Sequence, residues 1–189
     1  MKFESFMQVK NVVISCLLGL LAGSNAYAKD NSCRALIGEK RAHMLVRQCI
    51  NVSPATRPPC SASNRCELII EEIDRGCRLL GNDGDQLNYC GFKIAKQATL
   101  TGVLIGGGGQ DDNGILVLTD DGRRAWAYCA DRCASDLFVS QGEGGDSLNP
   151  SMQGKRVSVT FANEPNKSRI VGPDENEMLI FVKKIQFIK

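Results

Sequence analysis

The sequence has little of what most enzymes use for catalysis or for binding metal. Among 189 residues it contains one histidine, His43, and one tryptophan. A lone histidine excludes a zinc site built on paired histidines, and no nucleophile motif accompanies it that would indicate a Ser-His-Asp or Cys-His mechanism. We therefore expect no catalytic residues, no metal and no cofactor, and we interpret His43 as a surface or half-buried residue of a helix.

The chain also has little net charge and few long apolar runs. The chain carries 23 lysines and arginines against 21 aspartates and glutamates, a net charge of +2. So small an excess creates no global field that would hold nucleic acid or an anionic membrane. The one long apolar run, at residues 12–22, is too short and wrongly flanked for a stable membrane span. We expect no nucleic-acid partner and no membrane span in the mature protein.

The N-terminal segment has the three-part pattern of a secretory signal peptide. Lysines precede the apolar run, and the small residues Ala-Tyr-Ala follow it at 26–28. This pattern predicts a signal peptide over residues 1–28, removed between Ala28 and Lys29. A short signal with this ending is typical of bacterial export, so we expect a periplasmic or secreted protein.

What the sequence has in quantity is cysteine. Of nine cysteines, eight follow the predicted signal peptide. Export leads to an oxidising compartment, so we expect all eight to form disulfides. Six of them lie between Cys33 and Cys90, where several pairings are possible. The pairs we expect are Cys33–Cys77, Cys49–Cys66, Cys60–Cys90 and, in the second half of the chain, Cys129–Cys133.

Residues 29–96 predict a small helical domain. One helix is expected over 34–49. A second begins at Asn64, the first residue of a capping box, and ends at a glycine cluster; the apolar residues from Cys66 to Cys77 share one of its faces. The connector at 52–59 contains three prolines and is expected to be extended. Two helices with cysteines at their ends predict a disulfide-stapled helical hairpin.

Residues 97–189 predict a β-rich domain. The five strands expected here are Thr99–Ile105, Ile115–Thr119, Arg123–Ala130, Arg156–Ala162 and Met178–Ile188. The glycine run at 106–109 lacks the residues of a phosphate-binding loop, so we interpret it as a turn between the first two strands. The acidic residues at 111–112 lack the spacing of a calcium loop and predict a hairpin tip. The insert at 131–153 has room for one short helix.

Two stretches of this half resemble bacterial OB-fold domains. Residues 99–104, Thr-Leu-Thr-Gly-Val-Leu, resemble their opening strand, and residues 152–159, Met-Gln-Gly-Lys-Arg-Val-Ser-Val, resemble the junction before their fourth strand. The resemblance implies a five-stranded OB-like β-barrel with a binding platform on its second and third strands. No named family is attached to the N-terminal half. The expected fold class is α+β, with the disulfide-stapled helical hairpin followed by this barrel.

The third predicted strand carries the candidate binding residues. Trp126 and Tyr128 are two residues apart, so both point to one face of the strand, and Arg123 and Arg124 flank them. An aromatic and basic surface of this kind is typical of platforms for sugars, peptides or single-stranded nucleic acid, of which export and the near-neutral charge disfavour the last. The alternative is that the single tryptophan fills the barrel core, because large aromatic side chains are usually buried.

Two modules without a catalytic constellation predict a non-enzymatic exported protein that binds a protein, peptide or glycan partner. Two alternatives stand beside this prediction. An envelope thiol–disulfide protein would act through Cys129 and Cys133, although two isolated cysteines in an oxidising compartment favour a local structural disulfide. A structural component of an envelope assembly would use the helical hairpin as its docking surface.

Overall fold

The computed structural model of the protein describes residues 30–53 and 59–189. The predicted signal peptide at 1–28, its cleavage point and residues 54–58 of the connector lie outside the described residues. The described part contains three α-helices and a seven-stranded sheet, so the α+β class predicted from the sequence is confirmed. No helix in these two ranges is long and apolar enough to cross a membrane.

The first region of the chain forms the helices α1 (Cys33–Ile37), α2 (Glu39–Val52) and α3 (Cys66–Leu80). Gly38 separates α1 from α2 because its φ of 82° does not fit a right-handed helix. The single helix predicted over residues 34–49 is therefore divided in two. α3 starts after Arg65 and not at Asn64, whose side-chain amide donates to the carbonyl of Pro59 at 3.1 Å.

Helices α2 and α3 pack together through their apolar faces. Leu45 of α2 and Ile69 and Ile73 of α3 have no exposed surface. The two helices lie close together at Gly76, where a Cβ would stand 2.6 Å from the carbonyl oxygen of Val52. Real Cβ atoms essentially never show contacts under 3.0 Å, so glycine is required at this crossing.

The disulfides differ from most of the predicted pairs. The structure joins Cys33 to Cys66, Cys49 to Cys60, Cys77 to Cys90 and Cys129 to Cys133. The last of these is the predicted pair. The structure contradicts the other three predictions, which were Cys33–Cys77, Cys49–Cys66 and Cys60–Cys90.

The path of the connector is the reason for this correction. Residues 62–64 run beside the start of α1, where the backbone N–H of Cys33 donates to the carbonyl of Asn64 at 2.6 Å. This contact places Cys66 next to Cys33. The other two disulfides of the helical region close short loops, with sequence separations of 11 and 13, because the chain turns back soon after α2 and again after α3.

The strands of the sheet are β1 (Gln97–Gly109), β2 (Gly114–Thr119), β3 (Arg124–Tyr128), β4 (Phe138–Ser140), β5 (Asp146–Leu148), β6 (Arg156–Pro165) and β7 (Met178–Phe187). Their order is β2-β3-β7-β6-β1-β5-β4, and β2 also pairs with β1. The five long strands β1, β2, β3, β7 and β6 therefore close into a ring. Neighbours in the ring are antiparallel except β3 and β7, which are parallel where Tyr128 pairs with Phe181.

One prediction for the loops of this half is wrong, and the insert has more structure than expected. The glycine run at 106–109 is the end of β1, and it pairs with β2 and β5. Gly108 has a φ of 123°, and a Cβ there would lie 2.2 Å from the carbonyl oxygen of Asp146, so glycine is what lets β5 approach β1. The insert at 131–153, which has room for one short helix, forms the short strands β4 and β5 and two single 3-10 turns.

The apolar residues form two clusters, one inside the ring and one outside it. The inner cluster contains strand residues such as Leu104, Val117 and Phe161. The outer cluster joins the helices to β1 and β2 through Val103 and Leu118. Since successive strand residues point to opposite faces, Val103 and Leu104 belong to different clusters. The helical region therefore packs on the outer face of the ring.

Ion pairs also join the helices to the ring. Asp120, in the turn between β2 and β3, accepts hydrogen bonds from Arg41 of α2 at 2.9 Å and from Arg156 of β6 at 2.5 and 3.0 Å. Arg124 of β3 donates to the carboxylate of Asp74 on α3. Both α2 and α3 are thus tied to the ring by charged groups as well as by apolar packing.

Candidate functional site on strand β3

Strand β3 turns its aromatic side chains to the outside of the ring. Ala125 and Ala127 are fully buried in the inner cluster, and the alternation of the strand places Trp126 and Tyr128 on the opposite face. Trp126 is 39% exposed. This exposure excludes the alternative in which the tryptophan fills the core, because the interior side of β3 is occupied by the small alanine side chains.

The indole of Trp126 lies against the neighbouring strand β2 at Gly114. A Cβ on Gly114 would stand 2.4 Å from Cζ2 of the indole, so the ring fits here because this position is glycine. Tyr128 meets the indole edge-on, with ring centroids 6.3 Å apart and an interplanar angle of 83°. We call the surface formed by Trp126 and Tyr128 the aromatic face.

The aromatic face is supported from the next strand of the ring. Phe181 of β7 is fully buried, and its ring centroid is 6.2 Å from that of Tyr128. The guanidinium carbon of Arg169 lies 3.6 Å from the centroid of Phe181, a close cation–π contact. Phe181 therefore lies between Tyr128 and Arg169 and supports the aromatic face from the neighbouring strand.

Arg169 is fixed by a network of hydrogen bonds. Its guanidinium donates to two backbone carbonyls at 3.0 and 2.6 Å and to the carboxylate of Glu164 at 3.0 Å. Lys183 donates to the same carboxylate at 2.7 Å and, together with Arg169, holds the pKa of Glu164 below its ordinary value. The carboxylate therefore stays charged, and Arg169 is a half-buried cation at the end of the aromatic stack.

The two arginines predicted to flank the aromatic face are engaged elsewhere. Only 5% of the Arg124 side chain is exposed, because it is bound by Asp74 of α3. Arg123 donates two hydrogen bonds to Asp121, at 2.9 and 2.7 Å, and these lower the pKa of that carboxyl to about 2. The cation beside the aromatic stack is Arg169, and not Arg123 or Arg124 as predicted from the sequence. No local sequence pattern indicates Arg169, because its place depends on the parallel pairing of β3 with β7.

The disulfide Cys129–Cys133 lies at the end of β3, beside a cavity of about 500 Å³. Cys129 is 4% exposed, and its partner Cys133 is half-buried. Asp112 and Asp146 line the cavity, and each carboxylate accepts a hydrogen bond from the chain, at 2.9 and 2.8 Å. Within the described ranges, no group of three or more His, Cys, Asp or Glu side chains is arranged to hold a metal ion.

His43 lies on the exposed side of α2. Its Nε2 is 2.6 Å from a carboxylate oxygen of Glu39, four residues earlier on the same helix. Pairs at this spacing stabilise a helix locally by a few tenths of a kcal/mol. The position is the surface helix position expected from the sequence.

Comparisons with protein-family models, with curated proteins and with solved structures gave no match to this chain. The functional conclusions therefore rest on the geometry of the chain itself. That geometry offers an exposed tryptophan and a half-buried tyrosine on β3, a buried ring next to them and a cation at the end of the stack.

Proposed function

We propose that this protein is an exported, non-enzymatic binding protein of a bacterial envelope, periplasmic or secreted, which takes a protein, peptide or glycan partner on the aromatic face of Trp126 and Tyr128. Export is supported by the four disulfides, which fit an oxidising compartment. The two parts of the molecule would be an OB-like barrel and a disulfide-stapled helical module.

The closed ring of five strands supports the OB-like interpretation. The insert at 131–153 falls between the third and fourth strands of the ring, as in the order expected from the sequence. In OB-fold domains the second and third strands carry the ligand-binding surface, and Trp126 and Tyr128 lie on the third. Fold likeness assigns no ligand, so the proposal depends on the chemistry of the face.

The observation that carries the proposal is the exposure of the only tryptophan on a supported aromatic stack. Tryptophan and tyrosine are enriched among the residues that dominate binding energy, because each has a large apolar body and a polar group at its edge. A ring already held by its neighbours loses little conformational freedom when a partner binds. The indole and the phenol therefore offer a pre-organised surface for a sugar ring or an apolar side chain.

The experiment that tests the proposal compares the protein with the variant Trp126→Ala. Both are immobilised with their disulfides formed, exposed to glycan and protein fractions of envelope extract, and the retained material is quantified by mass spectrometry. We expect retention to fall at least about tenfold in the variant, as for a residue that dominates binding. Because Trp126 is the only tryptophan, a shift of its fluorescence when a retained fraction is added back reports occupancy directly.

The matched control is Leu79→Ala, which removes a more exposed apolar side chain from α3. This variant should retain as much material as the unchanged protein, and urea unfolding should show that both variants are folded. Equal retention by Trp126→Ala would contradict the proposal. An enzymatic activity that one polar substitution abolished without unfolding the protein would contradict its non-enzymatic part.

A further inference from the structure

A second concave surface lies on the other region of the molecule, between α2 and the turn that joins β2 to β3. It is a groove of about 660 Å³. Its apolar walls are Met44 and Ile50 of α2 and the ring of Tyr89. Ile50 is exposed, although it belongs to a helix whose other apolar residues are largely buried. We call this surface the α2 groove.

One residue that lines the α2 groove has a buried hydrogen-bond acceptor without a partner. Gln48 lines the groove and is 8% exposed. Its Nε2 donates to the carbonyl of Gly122 at 2.7 Å, so the amide orientation is determined by this bond. The other end of the amide, Oε1, has no hydrogen-bond partner in the described part of the chain. A buried acceptor without a partner is unfavourable, and a ligand that donates a hydrogen bond would remove that penalty.

Met44 lies beside this amide. A Cβ built on Gly122 would be 2.8 Å from Met44 Sδ and 3.3 Å from Gln48 Nε2, which places the thioether against the same glycine as the amide. Methionine is unbranched and changes rotamer readily. We therefore expect Met44 to move aside when a donor approaches Gln48 from the groove.

The rim of the α2 groove is positively charged. Lys40 and Arg47 are exposed on α2 and form no ion pair with any described residue. They line a neighbouring hollow that shares Met44 with the groove. The carboxylate at the groove, Asp121, is already neutralised by Arg123. An anionic ligand is favoured here by charge complementarity.

We propose that the α2 groove binds an extended acidic peptide segment of a partner protein. An apolar side chain would lie on Met44, Ile50 and Tyr89, and a backbone N–H would donate to Gln48 Oε1. Neighbouring carboxylates would meet Lys40 and Arg47. An extended peptide supplies these groups together, because its side chains alternate and its N–H groups are free to pair. A fatty acid has no such donor, and a neutral glycan has no anion.

The test measures fluorescence anisotropy with three labelled octapeptides and the protein with its disulfides formed. The first alternates glutamate and leucine, the second alternates lysine and leucine, and the third is the acidic peptide with N-methylated leucines. We expect saturable binding of the acidic peptide and none of the basic one. N-methylation removes the donor and should weaken binding about fivefold, the typical effect of one hydrogen bond.

Two variants and a matched control locate the binding. Arg47→Glu should weaken the acidic peptide about tenfold, whereas Arg78→Glu, which reverses an exposed charge on α3, should leave it unchanged. Gln48→Met removes the acceptor, so the N-methylated and unmethylated peptides should then bind equally. If Gln48→Met does not fold, the comparison of the two acidic peptides on the unchanged protein still decides the question.

Several results would overturn the inference. They are equal binding of the acidic and basic peptides, equal effects of Arg47→Glu and Arg78→Glu, or no effect of N-methylation. Displacement of the peptide by palmitate or by maltoheptaose at similar concentration would assign the groove to a lipid or a glycan instead. The variant Trp126→Ala should keep full affinity for the acidic peptide, because the aromatic face and the α2 groove share no residue.

Discussion

The helical region and the ring of strands are stabilised in different ways. The helical region, within residues 33–90, holds three disulfides, whereas the ring has one short disulfide at the end of β3. The ring is held by backbone pairing instead, and each of its five strands pairs with two neighbours. Disulfides therefore stabilise the helical region, whereas closure by backbone hydrogen bonds stabilises the ring.

The cores of the two regions are also unequal. The apolar cluster of the helical region includes Val103, Ile105 and Leu118 from the ring. The cluster inside the ring includes no residue of α1, α2 or α3 among those described. A region of about 60 residues buries too little apolar surface to be firmly stable on its own. The comparison indicates that the ring is the scaffold, and that the helices depend on both their disulfides and the outer face of the ring.

Removing one disulfide from each region gives the largest expected effect. The pair Cys33–Cys66 closes a loop with a sequence separation of 33, and Cys129–Cys133 one of 4. Because a longer loop restricts the unfolded chain more, we expect Cys33→Ala with Cys66→Ala to lower the free energy of unfolding by about 4 kcal/mol. Cys129→Ala with Cys133→Ala should lower it by about 2 kcal/mol. Urea unfolding of the two double variants measures both values.

Hydrogen exchange of the same variants shows where the stability is lost. In the first double variant, amides of α2 and α3 should lose protection while those of β1 and β6 keep it. In the second, loss of protection should be confined to the end of β3 and the segment after it. Equal losses of free energy, or a loss of protection in the ring when the helical disulfide is removed, would contradict the one-way dependence of the helices on the ring.

Replacement of Gly76 by alanine tests the packing within the helical region. Alanine is favoured over glycine in an exposed helix by about 1 kcal/mol. Here, however, the new Cβ would stand 2.6 Å from the carbonyl of Val52, so α2 and α3 must separate. We expect a net destabilisation of about 2 kcal/mol, since overpacking a tight contact outweighs the helix preference. Thermal or urea unfolding measures the change.

The control for this substitution is Gly144→Ala in the insert between β4 and β5. A Cβ at Gly144 would meet only the Cβ of Gln141, at 3.7 Å, which is an ordinary contact. This variant should unfold within about 0.5 kcal/mol of the unchanged protein. A stabilising effect of Gly76→Ala would show that the two helices can shift apart at no cost.

The strands were more predictable from the sequence than the disulfides, for a physical reason. Val157, Val159 and Phe161 alternate with polar residues, and this local pattern is enough to predict β6. The partner of Cys33 depends on the path of a connector that has no periodic pattern. Glycine is equally suited to a turn and to a strand that neighbouring backbones approach closely. The composition of the run at 106–109 therefore does not distinguish the predicted turn from the end of β1.

The candidate site, like the fold, was predictable from the sequence only in part. The spacing of Trp126 and Tyr128 places them on one face of a strand whatever the fold. Which face is exposed depends on whether alanines or aromatic rings fill the inside of the ring, and this is a property of the whole sheet. Phe181 and Arg169 join the site only through the parallel pairing of β3 with β7. Long-range pairing of that kind leaves no local signal in the sequence.

The smallest expected effect is a loss of stability in acid. It tests the ion pairs that join the helical region to the ring. Asp120 accepts hydrogen bonds from Arg156 of β6, from Thr101 of β1 and from Arg41 of α2. These bonds, the strongest from Arg156, hold the pKa of Asp120 well below its ordinary value of 3.8. A carboxyl whose pKa is lower in the folded than in the unfolded chain stabilises the fold fully above the unfolded value. That stabilisation is lost as the pH falls towards the folded value.

We therefore expect the unchanged protein to lose more stability than Asp120→Asn as the pH falls below 3.8. The Asp120 side chain is 38% exposed, so solvent screens its ion pairs and the difference should be about 1 kcal/mol. Other carboxyls with lowered pKa values, such as Asp121, titrate in both proteins and cancel in the comparison. Asp136→Asn, which replaces an exposed carboxyl outside the joint between the two regions, is the matched control. Since Asp120 links α2 to β6, the extra loss of protection from hydrogen exchange in acid should appear in α2 before it appears in the ring. Parallel pH curves for the unchanged protein and Asp120→Asn would mean that apolar packing alone holds the helices to the ring.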